Sequence, residues 1–169
     1  MKFAIHGPMC SGKTTISEII KKHNQDYKTY SFGGKVKDIA IDLFKMDCKD
    51  RTLLINVATK MREIDPDVWA KYVIDEIEKD NKDNCIIDDL RFQNEADSLK
   101  DWIFISLITP KEIRIKRIIE LYPGNYKDHI KNMEHISETG NLNLKGRVIH
   151  IDTSIPFSQL EKEIINLMS

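Results

Sequence analysis

The chain has 169 residues, 41% of them hydrophobic and 31% charged, with a formal net charge of −1 at pH 7. One domain of this length can bury a proper core, and the composition excludes disorder, a collagen-like repeat and a coiled-coil array as overall descriptions. The balanced charge excludes a nucleic-acid sheath or an anionic membrane as the main partner.

No apolar run approaches the ~20 residues that span a bilayer. Cys10, Cys48 and Cys85 are far apart and lack metal-ligand spacing. Together with an N-terminus too poor in apolar residues for a signal peptide, they point to a reducing, cytoplasmic setting. Six arginines stand against twenty lysines. Arg51, Arg62, Arg91, Arg114, Arg117 and Arg147 therefore merit separate scrutiny, because a guanidinium offers a planar fork for phosphate that lysine lacks.

Lys2–His6 reads as a short buried strand broken by Gly7-Pro8, and Ile16, Ile19, Ile20 and His23 follow at helical spacing. Residues 27–32 form a second strand candidate, stopped by Gly33-Gly34. Val36, Ile39, Ala40, Leu43 and Phe44 make the next helical stripe. Residues 51–64 read as a helix. Asp65 suits an N-cap and Pro66 the first position of another helix running to about residue 79.

Residues 85–87 are a buried strand ending in Asp88-Asp89, and 92–100 a short helix. Residues 102–108 give the longest strand signal. Thr109-Pro110-Lys111-Glu112 matches a capping box with proline at the first helical position. Residues 122–146 are polar and read as a mobile insert with one short helix. A last strand over 148–151 and an amphipathic helix over 157–168 complete the chain. Strands alternating with helices predict an α/β fold, one domain with five strands in a parallel sheet covered on both faces.

Gly7-Pro8-Met9-Cys10-Ser11-Gly12-Lys13-Thr14 matches GxxxxGK[ST] between a predicted strand and a predicted helix. Glycines let backbone N–H groups wrap phosphates, the lysine reaches the β- and γ-phosphates, and the threonine hydroxyl ligates Mg²⁺. The positive end of the following helix faces the anion. Gly7, Cys10, Ser11, Gly12, Lys13, Thr14 and Thr15 are thus expected to bind ATP, with Cys10 as a small filler.

At the end of the third strand a carboxylate can hold Mg²⁺ or poise the acceptor oxygen. Asp89 is preferred, and Asp88 fits as well. Arg114 and Arg117 share one helix face before the insert, as lid arginines or as a solvated basic face. Arg62 reads as a cation ending its helix. Trp69 and Phe92 read as core, with stacking on a base as the functional alternative.

The segment Asp89-Leu90-Arg91-Phe92-Gln93-Asn94-Glu95 resembles the DxRFxNE segment of phage and viral deoxynucleoside monophosphate kinases. Ser31-Phe32-Gly33-Gly34-Lys35-Val36-Lys37, Arg62 followed by Asp65 to Trp69, and His135-Ile136-Ser137-Glu138 resemble further family segments in order. The resemblance implies a P-loop nucleoside monophosphate kinase fold, with an acceptor-binding helical region near 35–80 and a lid near 111–146.

It also implies transfer of the γ-phosphoryl of ATP to a (d)NMP. Arg62 and Arg91 would bind the acceptor phosphate, Lys37, Trp69, Asp89, Phe92 and Glu95 would line the acceptor site, and Arg114 and Arg117 would act from the lid. Members often form dimers. Many relatives read Gly-Lys-Asp-Thr where this chain has Gly12-Lys13-Thr14-Thr15, so the common Mg²⁺ hydroxyl here is that of Thr14. A GTPase would need DxxG after the third strand, and no glycine here has Asp three residues before it. A phosphomevalonate kinase shares the Asp-x-Arg but not Phe92 or Asn94-Glu95, and a P-loop binding module without turnover is the non-enzyme alternative.

Overall fold

The computed structural model describes residues 1–134 and 142–168. The His135–Glu138 segment lies outside them. In chain order the elements are β1 Lys2–His6, α1 Lys13–His23, β2 Lys28–Tyr30, α2 Gly34–Phe44, α3 Arg51–Ile64, α4 Val68–Asp80, β3 Cys85–Leu90 and α5 Gln93–Ser98. They continue with β4 Ile103–Ile108, α6 Lys111–Leu121, α7 Tyr126–Lys131, a 3₁₀ turn Asn132–Glu134, β5 Arg147–Asp152 and α8 Phe157–Met168. Five parallel strands make one sheet in the order β2-β3-β1-β4-β5. The alternation of short apolar runs with helical stripes produces this arrangement, since each parallel connection must cross a face of the sheet.

Both faces are dry. Phe3, Ile5, Ile86, Ile105, Leu107 and Ile151 pack on Ile16, Ile19 and Ile20 of α1 and on Leu160 and Ile164 of α8. Ala4, Ile87, Leu90 and Phe104 pack on Ala70, Val73 and Ile77 of α4 and on Ala96 and Leu99 of α5. A smaller core of Val36, Val57 and Trp69 joins α2, α3 and α4 beside the sheet. Met9 of the loop after β1 is buried against Ile118 and Met133. No helix among the described residues is long and apolar enough to cross a membrane.

Two predicted caps are corrected. Asp65 does not cap α4: it closes α3 through its own N–H to Met61, while its carboxylate takes the N–H of Asp67 and the ammonium of Lys71. The helix accordingly begins two residues late, at Val68. Thr109 does not cap α6 either, because its hydroxyl turns inward to Thr153 and the Ser11 carbonyl.

The 122–146 stretch is also more structured than the sequence predicts. Its described part holds α7 and the 3₁₀ turn, and His129 is buried with its ring stacked on Tyr122 at 3.9 Å. Residues 142–146 follow α5, where Gln93 exchanges two hydrogen bonds with the backbone of Asn143.

Candidate active site

The loop between β1 and α1 wraps as its sequence requires. Cys10 and Gly12 take positive φ angles of 58° and 98°, so successive N–H groups can point to one side and form an anion nest. Gly7 admits no side chain, since a Cβ there would stand 2.7 Å from Ser11 Oγ and 2.9 Å from Leu107 Cβ. Lys13 Nζ donates to the Gly7 and Pro8 carbonyls at 2.6 and 2.9 Å, which holds the ammonium over the loop.

Below the loop, Thr153 Oγ1 donates to the Ser11 carbonyl at 2.7 Å and lies 2.7 Å from Thr109 Oγ1. These two buried threonines fasten the loop to the ends of β4 and β5. Arg117 adds a third fastening, from Nη1 to the Cys10 carbonyl at 3.2 Å and from Nη2 to the Thr153 carbonyl at 2.6 Å. Arg114, one turn earlier, is partly buried, and its Nε has no hydrogen-bond partner among the described residues. Arg117 thus touches the phosphate loop directly, and Cys10 serves through its carbonyl and its backbone turn.

The two aspartates at the end of β3 do different jobs. Asp89 accepts from Ser31 Oγ at 2.7 Å, Phe32 N at 2.9 Å and Gly33 N at 2.7 Å. Both of its oxygens are therefore committed to the β2–α2 turn. The chain spends that carboxylate on anchoring a loop, so a metal at Asp89 would have to share it with these three donors. Asp88 lies where Lys13 and Lys21 of α1 act on it. Burial, and then the neighbouring Asp89 charge, push its carboxyl up to about 6 against the pull of those lysines. The hydroxyl of Thr14, exposed in the first turn of α1, and the Asp88 carboxylate are hard oxygen donors that suit Mg²⁺ completed by water and phosphate oxygens. No group of three or more His, Cys, Asp or Glu able to hold a metal exists among the described residues.

Most residues of the DLRFQNE segment have an observed use. Leu90 is core. Asn94 Nδ2 bonds the Pro66 carbonyl and Asp67 Oδ1, both at 2.9 Å, tying α5 to the α3–α4 turn. Glu95 is 2% exposed. Its Oε2 accepts the N–H groups of Arg91 and Phe92, both at 3.0 Å, which caps α5. Its Oε1 meets Arg62 Nη2 at 3.4 Å.

The Arg62 guanidinium also lies 4.1 Å from the centre of the Phe92 ring, a cation–π contact that fixes its plane. Burial lowers the Arg62 pKa and Glu95 opposes the shift. Burial also pushes the Glu95 carboxyl up to about 6, against the two N–H groups it accepts. Glu95 is therefore a buried support for Arg62, and Phe92 offers Arg62 one ring face.

Trp69 is not where a base can reach it. Its side chain is 3% exposed in the helical core, and its indole N–H donates to the Ala58 carbonyl at 3.2 Å. Trp69→Phe is expected to cost about 1–2 kcal/mol through the lost hydrogen bond and to leave the acceptor KM within twofold. A denaturant titration beside steady-state kinetics checks both, and a large rise in KM would return Trp69 to the site.

Lys49, on the α2–α3 connection, and Arg51, the first residue of α3, are marked by no sequence motif. Lys49 keeps solvent access, yet surrounding protein and then the charges of Arg51, Arg91 and Lys37 hold its ammonium below the ordinary range. Burial, and then Arg51 and Lys49, likewise lower the pKa of His129. The charges of Lys37, Arg51 and Arg91, from three separate stretches of chain, thus all act on Lys49, and the scarcity of arginine was the signal that pointed to Arg51.

Solved structures share this fold at low identity. TT1252 from Thermus thermophilus superposes with a TM-score of 0.67 at 10% identity, over 99% of this chain and 96% of that one. A sugar kinase from Janibacter sp. HTCC2649 gives 0.62 at 16%, over 99% and 93%. Shikimate kinase from Acinetobacter baumannii in complex with shikimate gives 0.55 at 15%, over 99% and 92%. The fold is that of P-loop kinases. No curated protein matches the sequence. Residues 4–136, from β1 through the 3₁₀ turn, match the model of the AAA_18 family, described as an AAA domain, and the chain belongs to that family.

Proposed function

We propose that the protein transfers the γ-phosphoryl group of ATP to a (deoxy)nucleoside 5′-monophosphate. The observation that carries this reading is the buried Glu95 that holds Arg62 against the Phe92 ring and accepts the N–H of Arg91, at the end of the strand beside the phosphate loop's own strand. A phosphate monoester acceptor carries about two negative charges near neutral pH and suits guanidinium forks, which bind phosphate in pairs of hydrogen bonds; a neutral hydroxyl acceptor does not need them. The resemblance of DLRFQNE to deoxynucleoside monophosphate kinases supports the same class of acceptor.

The mechanism is positioning and charge neutralisation. An oxygen of the acceptor phosphate bonds to the γ-phosphorus as the bond from that phosphorus to the β–γ bridging oxygen breaks, and ADP leaves with the electron pair. The acceptor oxygen is already ionised, so no residue need remove a proton. Lys13 leaves the Gly7 and Pro8 carbonyls for the transferring phosphoryl group. Arg117 and Arg114 add charge from α6, and Arg62 and Arg91 hold the acceptor in line. Thr14 and Asp88 would hold Mg²⁺, which supplies charge neutralisation between β- and γ-phosphates.

ADP release with Mg·ATP against the eight common NMPs and dNMPs, with 5-phosphomevalonate and shikimate as further acceptors, tests the reading. Turnover of one or more nucleotides is expected. In the same assay Arg91→Ala should lower kcat/KM by about a hundredfold or more, the size of effect seen when one donor to a reacting oxyanion is removed. Turnover of shikimate or 5-phosphomevalonate alone, or of nothing, would overturn the assignment.

A further inference from the structure

β3 breaks the alternation of a regular strand. Ala4 of β1 lies beside Ile87, and His6, two residues later, lies beside Leu90, three residues later. β3 therefore carries one extra residue at Asp88-Asp89. Its side chains agree: Ile87 and Leu90, of opposite parity, pack in the same core on the α4 and α5 face. Such a bulge is rare between parallel strands and re-aims side chains where it occurs.

At this irregularity the two successive carboxylates serve different partners, Asp88 towards Lys13 and Asp89 towards the β2–α2 turn. The ring of His6 spans the irregularity, with Nδ1–H donating to the Leu90 carbonyl at 3.1 Å. His6 directly precedes Gly7 of the phosphate loop, and Leu90 directly precedes Arg91. One hydrogen bond thus joins the roots of both segments that handle phosphate.

We propose that His6 is a positioning residue that locks the β3 bulge to the root of the phosphate loop and so sets Asp88 and Arg91 relative to Lys13. For Arg91 this rests on the phosphoryl-transfer reading. For Asp88 it needs only that the loop binds nucleotide with Mg²⁺. His6 lines a cavity of about 400 Å³ with Ser106 and His150, so a smaller side chain there leaves the sheet core in place.

Two replacements separate the hydrogen bond from the bulk of the ring. Asparagine at position 6 carries an N–H donor at nearly the place of the imidazole Nδ1. Glutamine carries its donor one methylene further out.

The test is fluorescence titration of N-methylanthraniloyl-ADP at a series of Mg²⁺ concentrations, with His6→Ala, His6→Asn and His6→Gln beside the wild type. His6→Ala and His6→Gln are expected to raise the Mg²⁺ concentration for half-maximal tightening by about tenfold, the low end of what loss of an orienting partner costs a metal site. Binding without Mg²⁺, which uses the loop amides and Lys13, should stay within twofold, and His6→Asn should restore the wild-type Mg²⁺ dependence. With a competent acceptor, kcat should fall in the same variants and recover in His6→Asn.

Wild-type Mg²⁺ dependence in His6→Ala would overturn the proposal. So would equal defects in His6→Asn and His6→Gln, or a matching loss of Mg²⁺-free binding. If His6→Ala fails to fold, the Asn and Gln pair still decides. The titration contains no acceptor, so its result for His6 holds even if the acceptor panel shows no nucleotide turnover.

Discussion

Glu95→Ala is expected to destabilise the protein by about 3 kcal/mol, the low end of the cost of removing one partner of a buried ion pair. Glu95 is 2% exposed and the Arg62 side chain retains 24% exposure. The substitution therefore leaves a partly desolvated guanidinium without its counter-charge. It also strips the N–H groups of Arg91 and Phe92 of their acceptor, and unsatisfied buried donors add to the loss. Urea unfolding at pH 7 measures the effect, and a change under 1 kcal/mol would show that Glu95 does not hold this corner together.

Glu95→Gln keeps an acceptor for the two N–H groups and removes the charge, which exposes a pH signature. The fold raises the Glu95 carboxyl from 4.5 to about 6. A raised carboxyl contributes stability that is complete below pH 4.5 and lost as pH rises through about 6. That contribution is about 2 kcal/mol at ~1.4 kcal/mol per pH unit. Wild-type stability should carry this falling component between those values, and the glutamine variant should lack it. Identical pH profiles would contradict the buried, titrating state of Glu95.

The largest effect on activity is expected from Lys13→Met, a fall in kcat of about 10³ or more with the fold intact, on the scale of losing one transition-state cation in phosphoryl transfer. Lys13 is only partly buried, and its partners are the Gly7 and Pro8 carbonyls of its own loop. Its loss costs little folding energy, so a fall in rate reports chemistry. Single-turnover formation of ADP from ATP and acceptor isolates the chemical step from product release. A rate within tenfold of wild type would mean that the Lys13 ammonium does not travel from its resting carbonyls to the transferring group.

The parallel sheet and the phosphate loop were legible in the sequence because both are local. Phe3-Ala4-Ile5 and Cys85-Ile86-Ile87 are apolar runs too short for helices, and the glycines at 7 and 12 mark a turn in which a side chain would clash at the first and be strained by the positive φ at the second. The DLRFQNE segment showed where an acceptor site would be, but not what each residue does there. Glu95 and Trp69 are both chemically able to touch a ligand, and only packing, with 2% and 3% exposure, turned them into a buried support and a core residue.

Asp88 and Asp89 are indistinguishable as letters. Three donors from a turn more than fifty residues away part their roles. Lys49 and Arg51 carry no motif, and the charges of Lys37, Arg51 and Arg91 act together on Lys49 from parts of the chain far apart in sequence. Periodicity and turn chemistry act over a few residues, so the sequence by itself determined the strands, the helices and the loop that takes phosphate. Charge repulsion, burial and register act through space, so only the tertiary structure decided which carboxylate is spent on anchoring, which arginine is propped on an aromatic ring, and which cations act on Lys49.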